Sequence, residues 1–115
     1  MVNEVRINEI VKEIGAIQLE QEQANDYIRN LQKGEEEAYD QLRVMLRGID
    51  NEFELCQGDA KLTRLVEERH EILRKLEREC GEALQVLEEE QKKVKDKCES
   101  DIEELRMEMK RLEMM

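Results

Sequence analysis

Apolar residues recur at steps of three and four along both halves of the chain, and no proline interrupts them. In the first half the series runs Ile7, Ile10, Ile14, Ile17, Ala24, Ile28, Leu31, Ala38, Leu42, Met45 and Ile49. Such steps keep one side chain per turn on a single stripe of an α-helix, whereas a strand needs steps of two. The chain is therefore confined to long helices whose stripes meet in a coiled-coil seam. With Ile7 at heptad position a, the a row reads Ile7, Ile14, Gln21, Ile28, Glu35, Leu42, Ile49 and Cys56, and the d row Ile10, Ile17, Ala24, Leu31, Ala38, Met45 and Glu52. Gln21, Glu35 and Glu52 interrupt the seam; buried polar positions of this kind set register at a cost in stability.

The second half repeats the pattern with Leu62, Val66, Arg69, Leu73, Leu76, Cys80, Ala83 and Leu87, the Arg69 stem lying over the seam with its charge directed outward. Beyond Leu87 the series is Val94, Cys98, Ile102, Leu105, Met109 and Leu112; the eleven-residue step from Val94 to Leu105 departs from the heptad and relaxes the supercoil, so this end is expected to pack differently.

Two glycines compete for the break. At Gly58-Asp59 the glycine suits a left-handed helix C-cap and the aspartate an N-cap. Gly48 is the rival, but Ile49, Phe53 and Cys56 keep the phase of the seam beyond it. The expected fold is all-α, a single antiparallel two-helix coiled-coil hairpin over 1–115: helix 1 about 5–55, turn about 56–59, helix 2 about 60–113. Folding there sets Phe53 against Leu62, Ile49 against Val66, Leu42 against Leu73, Ile28 against Leu87 and Ile14 against Ile102, apolar against apolar throughout.

Two helices bury little. A stripe of Val11, Leu19, Tyr27, Tyr39, Leu46, Leu65, Ile72 and Leu84 falls outside the a/d seam and is expected to stay partly exposed, so dimerisation or a hetero-complex should complete the core. Beside the turn, Phe53, Leu55, Cys56 and Gly58 form an apolar clasp. From these two sets, Leu19, Tyr27, Tyr39, Leu46, Phe53, Leu55, Cys56, Gly58, Leu65, Ile72 and Leu84 are the candidate partner-binding residues.

Composition narrows the function classes. Of 115 residues 43% are charged and 3% aromatic, too few bulky side chains for a compact enzyme core. The net charge of −11 argues against nucleic acid and against anionic membranes. No run of apolar residues is long enough for a transmembrane helix, the first residues lack the pattern of a secretory signal, and the three cysteines form no disulfide framework, so a cytoplasmic, reducing location is expected. The lone His70, between Arg69 and Glu71, reads as a solvated helix residue without metal-ligand neighbours. Cys80 and Cys98 read as small hydrophobes of the seam, and Cys56 as the one cysteine exposed enough to react. The runs Glu35–Glu37 and Glu88–Glu90 are solvated helix faces, and the basic stretch Lys92–Lys97 pairs with neighbouring glutamates. No catalytic residue, cofactor or metal site is expected.

The Cys56-Gln57-Gly58 turn occupies the place of the Trp-x-Gly turn in the helical-hairpin proteins of Gram-positive type VII secretion, which the chain resembles. It looks more specifically like the small coiled-coil partners of LXG-type toxins, in Gln18-Leu19-Glu20-Gln21-Glu22-Gln23, in Leu65-Val66-Glu67-Glu68-Arg69 and in the stretch through Leu76-Glu77-Arg78-Glu79. The likeness extends over nearly the whole chain through motifs of low specificity. It implies an adaptor or chaperone that binds the helical N-terminal domain of the toxin, together with a second small hairpin protein, and supports its export. Two features depart from the family: the turn lacks Trp, and Asp101–Arg106 contains no Tyr-x-x-x-Asp/Glu export signal, which points to export only in company of the partner. The competing readings are a type III secretion or flagellar stalk or chaperone-escort hairpin, and a purely structural coiled-coil rod. A prefoldin-like hairpin is set aside because residues 50–61 hold no β-branched run.

Overall fold

A computed structural model describes residues 2–115 as two long helices, α1 (Val2–Leu55) and α2 (Ala60–Glu113), which pack against each other as an antiparallel two-helix hairpin. Four residues connect them. Gly58 has φ +89°, a left-handed conformation that costs a residue without Cβ nothing. Asp59 caps α2: its Oδ1 accepts from the backbone N–H groups of Lys61 and Leu62, both at 3.1 Å. The Thr63 hydroxyl donates to the Asp59 carbonyl at 2.8 Å and lies 3.2 Å from that of Cys56, tying the first turn of α2 to the end of α1. Gly48, by contrast, lies inside α1.

The helices form two compact units. The terminal unit joins Met1–Arg29 to Glu88–Met115, and the turn unit comprises Asn30–Leu87. Each has its own small core: Ile10, Ile28 and Ile102 in the first, Leu46, Ile49 and Val66 in the second.

In the terminal unit the a and d rows of α1 are buried or half-buried, Ile7, Ile10, Ile14, Ile17, Gln21, Ala24 and Ile28, with Asn3, Arg6 and Asn25 half-buried beside them. Those of α2 run Val94, Cys98, Ile102 and Leu105, two steps of four and one of three, the signature of a helix that follows its own 3.6-residue turn. Arg6 clasps the two helices here. Its Nε and Nη2 donate to the two carboxylate oxygens of Glu108 at 2.8 and 3.0 Å, and Nη1 to Glu13 at 3.1 Å.

In the turn unit the seam is not the one the heptad predicts. Its α1 members are Gln32, Glu35, Tyr39, Leu42, Leu46, Ile49, Phe53 and Cys56, with Ala38 and Glu52 of the expected d row half-buried beside them; its α2 members are Thr63, Val66, His70, Leu73, Glu77, Cys80, Leu84 and Leu87, with the expected Ala83 half-buried beside them. The a row of α1 holds, but the d row has moved on by one residue, so that Leu46 replaces Met45 and Gln32 replaces Leu31. A straight helix lags a strict seven-residue repeat by about 20° per heptad, and keeping one row while the other moves on by a ~100° step turns the midline of the stripe by about 50°, which two to three heptads accumulate. On α2 the same displacement puts Thr63, His70 and Glu77 where Leu62, Arg69 and Leu76 were expected.

Candidate interaction surface

One displaced row changes which side chains are free. Leu46, expected on the exposed stripe, is 8% exposed and belongs to the turn-unit core. His70, expected in solvent, is half-buried with its ring edge-on to Phe53, centroids 6.1 Å apart. Arg69 does not cover the seam; it reaches sideways to Glu52, Nη1 to Oε2 2.9 Å. Tyr39, Phe53, Cys56 and Leu84 are half-buried, and Tyr39 stacks under the Arg43 guanidinium at 5.6 Å. Leu19, Tyr27, Leu55, Gly58, Leu65 and Ile72 are exposed. Leu19 and Tyr27 belong to the terminal unit and stand at different heptad positions there, so they share no row with each other.

Exposed apolar residues line instead one flank of the turn unit, interrupted by a single ion pair. Residues that immediately precede a seam residue lie about 100° to one side of it, and on α2 these are Leu62, Leu65, Arg69, Ile72 and Leu76. The four apolar ones are 47%, 55%, 59% and 41% exposed. On α1 the equivalent positions include Leu31, Met45, Gly48 and Glu52, with both Leu31 and Met45 exposed. The Arg69–Glu52 bridge joins these two rows across the seam and so places them on the same side of the helix pair. Leu62, Leu76, Met45 and Leu31 were assigned to the seam by the heptad reading, which is why that reading missed the surface. The signal that finds it is the drift of a 3.6-residue helix against a 3.5-residue repeat.

The opposite flank is charged. A groove there is lined by Asp40, Arg43, Arg47, Asp50, Arg74 and Glu77, with Val44, Leu46 and His70 also contributing. Arg74 is paired with Glu77 at 3.1 Å. One side of the turn unit is thus made for water and the other is not.

The cysteines are all half-buried, Cys56 included, and none stands out by exposure. Burial pushes the Cys80 thiol above its usual 9.0, and the neighbouring Glu35 carboxylate of α1 adds to the effect, as does the charge of Glu79. The thiol therefore stays protonated near neutral pH, the opposite of an activated nucleophile. In the basic stretch Lys93 pairs with Glu90 at 3.4 Å. Among the described residues no group of three or more His, Cys, Asp or Glu side chains is placed to hold a metal ion, and no helix is long and apolar enough to cross a membrane. Compared with known protein families, curated proteins and solved structures, the chain matches none.

Proposed function

We propose that this chain is a non-enzymatic helical adaptor, whose two-helix hairpin takes up helices of a protein partner to complete its core. The observation that carries the reading is the uncovered flank of Leu62, Leu65, Ile72 and Leu76, set beside a core of only three buried residues in the same unit. A fully buried Leu or Ile contributes about 1.5–3 kcal/mol relative to an exposed one, so covering four such half-covered side chains supplies several kcal/mol to an association. An amphipathic helix laid along this flank is the partner chemistry this spacing fits.

The client follows from the resemblance to the small partners of LXG-type toxins: the helical N-terminal domain of such a toxin, with a second small hairpin protein, held in the cytoplasm and escorted to the export machinery. The Glu- and Gln-rich first helix and the Gly58-Asp59 turn support that reading.

Co-expression of the chain with the N-terminal helical domain of an LXG-type toxin encoded beside it tests both levels. A stoichiometric complex that survives gel filtration is expected, as is its loss in a Leu65→Glu, Ile72→Glu variant that keeps its helical circular dichroism. Separate elution of the two proteins overturns the client assignment. A complex indifferent to the double variant overturns the assignment of the flank.

A further inference from the structure

The flank is self-complementary, and we infer that a second copy of this chain docks on it, α2 against α2 and antiparallel. This rests on the reading of the flank as a helix-docking face and names its occupant when no client is present. Continued along α2 beyond Leu76, the row is Glu79, Ala83 and Val86, a full heptad series from Leu62 to Val86 that lies outside the hairpin's own seam.

Two antiparallel copies of such a row interlock with a positions against d positions. The register that overlaps the whole row sets Leu62 against Val86, Leu65 against Ala83 and Ile72 against Leu76, each layer occurring twice about a two-fold axis between Ile72 and Leu76. Its one polar layer sets Arg69 against Glu79, opposite charges. Sliding by one heptad puts Leu62 on Glu79 and Arg69 on Ile72 instead, so the Arg69–Glu79 layer selects the register. Both side chains are exposed and can meet there: Arg69 would exchange its bridge to Glu52 for Glu79, and Glu79 is paired with Lys75 at the 4.0 Å limit of an ion pair.

The charge of this stretch points to a copy of itself. In a chain of net charge −11, residues 61–86 carry six Lys and Arg and six Glu, so two such stretches approach without net repulsion. At the rim Lys75 meets its own symmetry mate and Glu68 meets Glu82, like charges that offset the attraction of the two Arg69–Glu79 layers, so the register is chosen by the buried layers and not by the rim.

Sedimentation of the purified full-length chain, with no client, is the test. A dimer at micromolar concentration is expected. Glu79→Arg, which sets Arg against Arg69, should weaken it by at least about 100-fold, and the exchanged pair Arg69→Glu with Glu79→Arg should restore it. Should the exchanged variant lose helicity, cross-linking decides: with the three cysteines replaced by Ser, chains bearing Ile72→Cys mixed with chains bearing Leu76→Cys should yield chiefly the mixed disulfide dimer. A monomeric wild-type chain, a dimer unmoved by Glu79→Arg, or a folded exchange variant that stays monomeric overturns the inference. A monomer that still binds a client through Leu65 and Ile72 overturns it while the adaptor reading stands. A dimer that responds to the exchange but takes no client leaves this inference standing without that reading.

Discussion

Arg69 of α2 donates to Glu52 of α1 at 2.9 Å, and neither residue belongs to the seam between the helices. Both stand one position before a seam residue, His70 and Phe53 respectively. The bridge therefore marks a lateral face, and the apolar residues in line with it are surface rather than core. This separates Leu46 from Leu65, two leucines that a heptad reading puts on the same exposed stripe. Leu46→Glu buries a carboxylate without a partner in the turn-unit core and should lower stability by about 3–5 kcal/mol, with loss of the helical signal at elevated temperature. Leu65→Glu should leave the hairpin within about 0.5 kcal/mol when measured on a dilute, unassociated chain. Thermal melts followed at 222 nm compare the two directly.

Much of this fold is legible in the sequence, and the part that is not has one cause. Steps of three and four from Ile7 to Ile28 and from Val94 to Leu112 specify helices that pack by one stripe, and the all-helical hairpin follows. The seam of the turn unit does not follow, because Met45 and Leu46 are both apolar and hydrophobicity cannot rank them. Accumulated helical drift decides between them, and Leu46 goes in. The same drift carries His70 under Phe53 and releases Arg69, two adjacent residues whose order of burial no composition argument supplies. The candidate surface was thus only partly legible: Leu65 and Ile72 belong to it, whereas Leu62 and Leu76 were hidden by their assignment to the core.

The two competing glycines should respond with opposite sign. Gly58 holds φ +89°, so Gly58→Ala places a Cβ in a left-handed backbone and should destabilise by about 1–2 kcal/mol. Gly48 is interior to α1 with open space around it, and Gly48→Ala should stabilise the unassociated hairpin by about 0.5–1 kcal/mol through helix propensity. Urea titration of both variants gives the two signs from one experiment.

The Arg6–Glu108 clasp makes the terminal unit sensitive to acid. The Arg6 guanidinium holds the Glu108 carboxyl below its usual 4.5. In that interval the unfolded chain binds more protons than the folded one, so stability rises with pH through it. The contribution is complete at neutral pH and disappears as pH falls from the ordinary carboxylate range through the depressed folded value. Glu108→Gln should melt lower than wild type at neutral pH, and the difference should shrink to nothing in strong acid. Melting temperatures of both proteins across an acid series check this, a gap that persists in strong acid being the contrary result.

Asn25 in the terminal unit presents a buried Oδ1 with no hydrogen-bond partner. A buried polar atom left unpaired costs about 1–3 kcal/mol, and replacement by an apolar side chain removes that cost. Asn25→Leu should therefore raise the midpoint of denaturation, with Asn25→Asp lowering it because a charge then occupies the same position. Guanidinium unfolding curves of the two variants distinguish an orphaned amide from one satisfied by solvent, for which Asn25→Leu brings no gain.

Cys80 offers a probe of the seam itself. Its thiol is held up first by burial and then by Glu35 across the helix pair. Alkylation by iodoacetamide requires the thiolate, so Cys80 should react more slowly than a free cysteine at neutral pH and gain rate only as pH climbs past the usual thiol range. Glu35→Gln removes the charge that opposes ionisation and should accelerate the reaction at a fixed alkaline pH, while burial keeps it below the free-thiol rate. Peptide mapping of the modified chain follows Cys80 separately from Cys56 and Cys98. An unchanged rate in Glu35→Gln would mean that Glu35 does not face Cys80, and with it that the helices of the turn unit pair in another register.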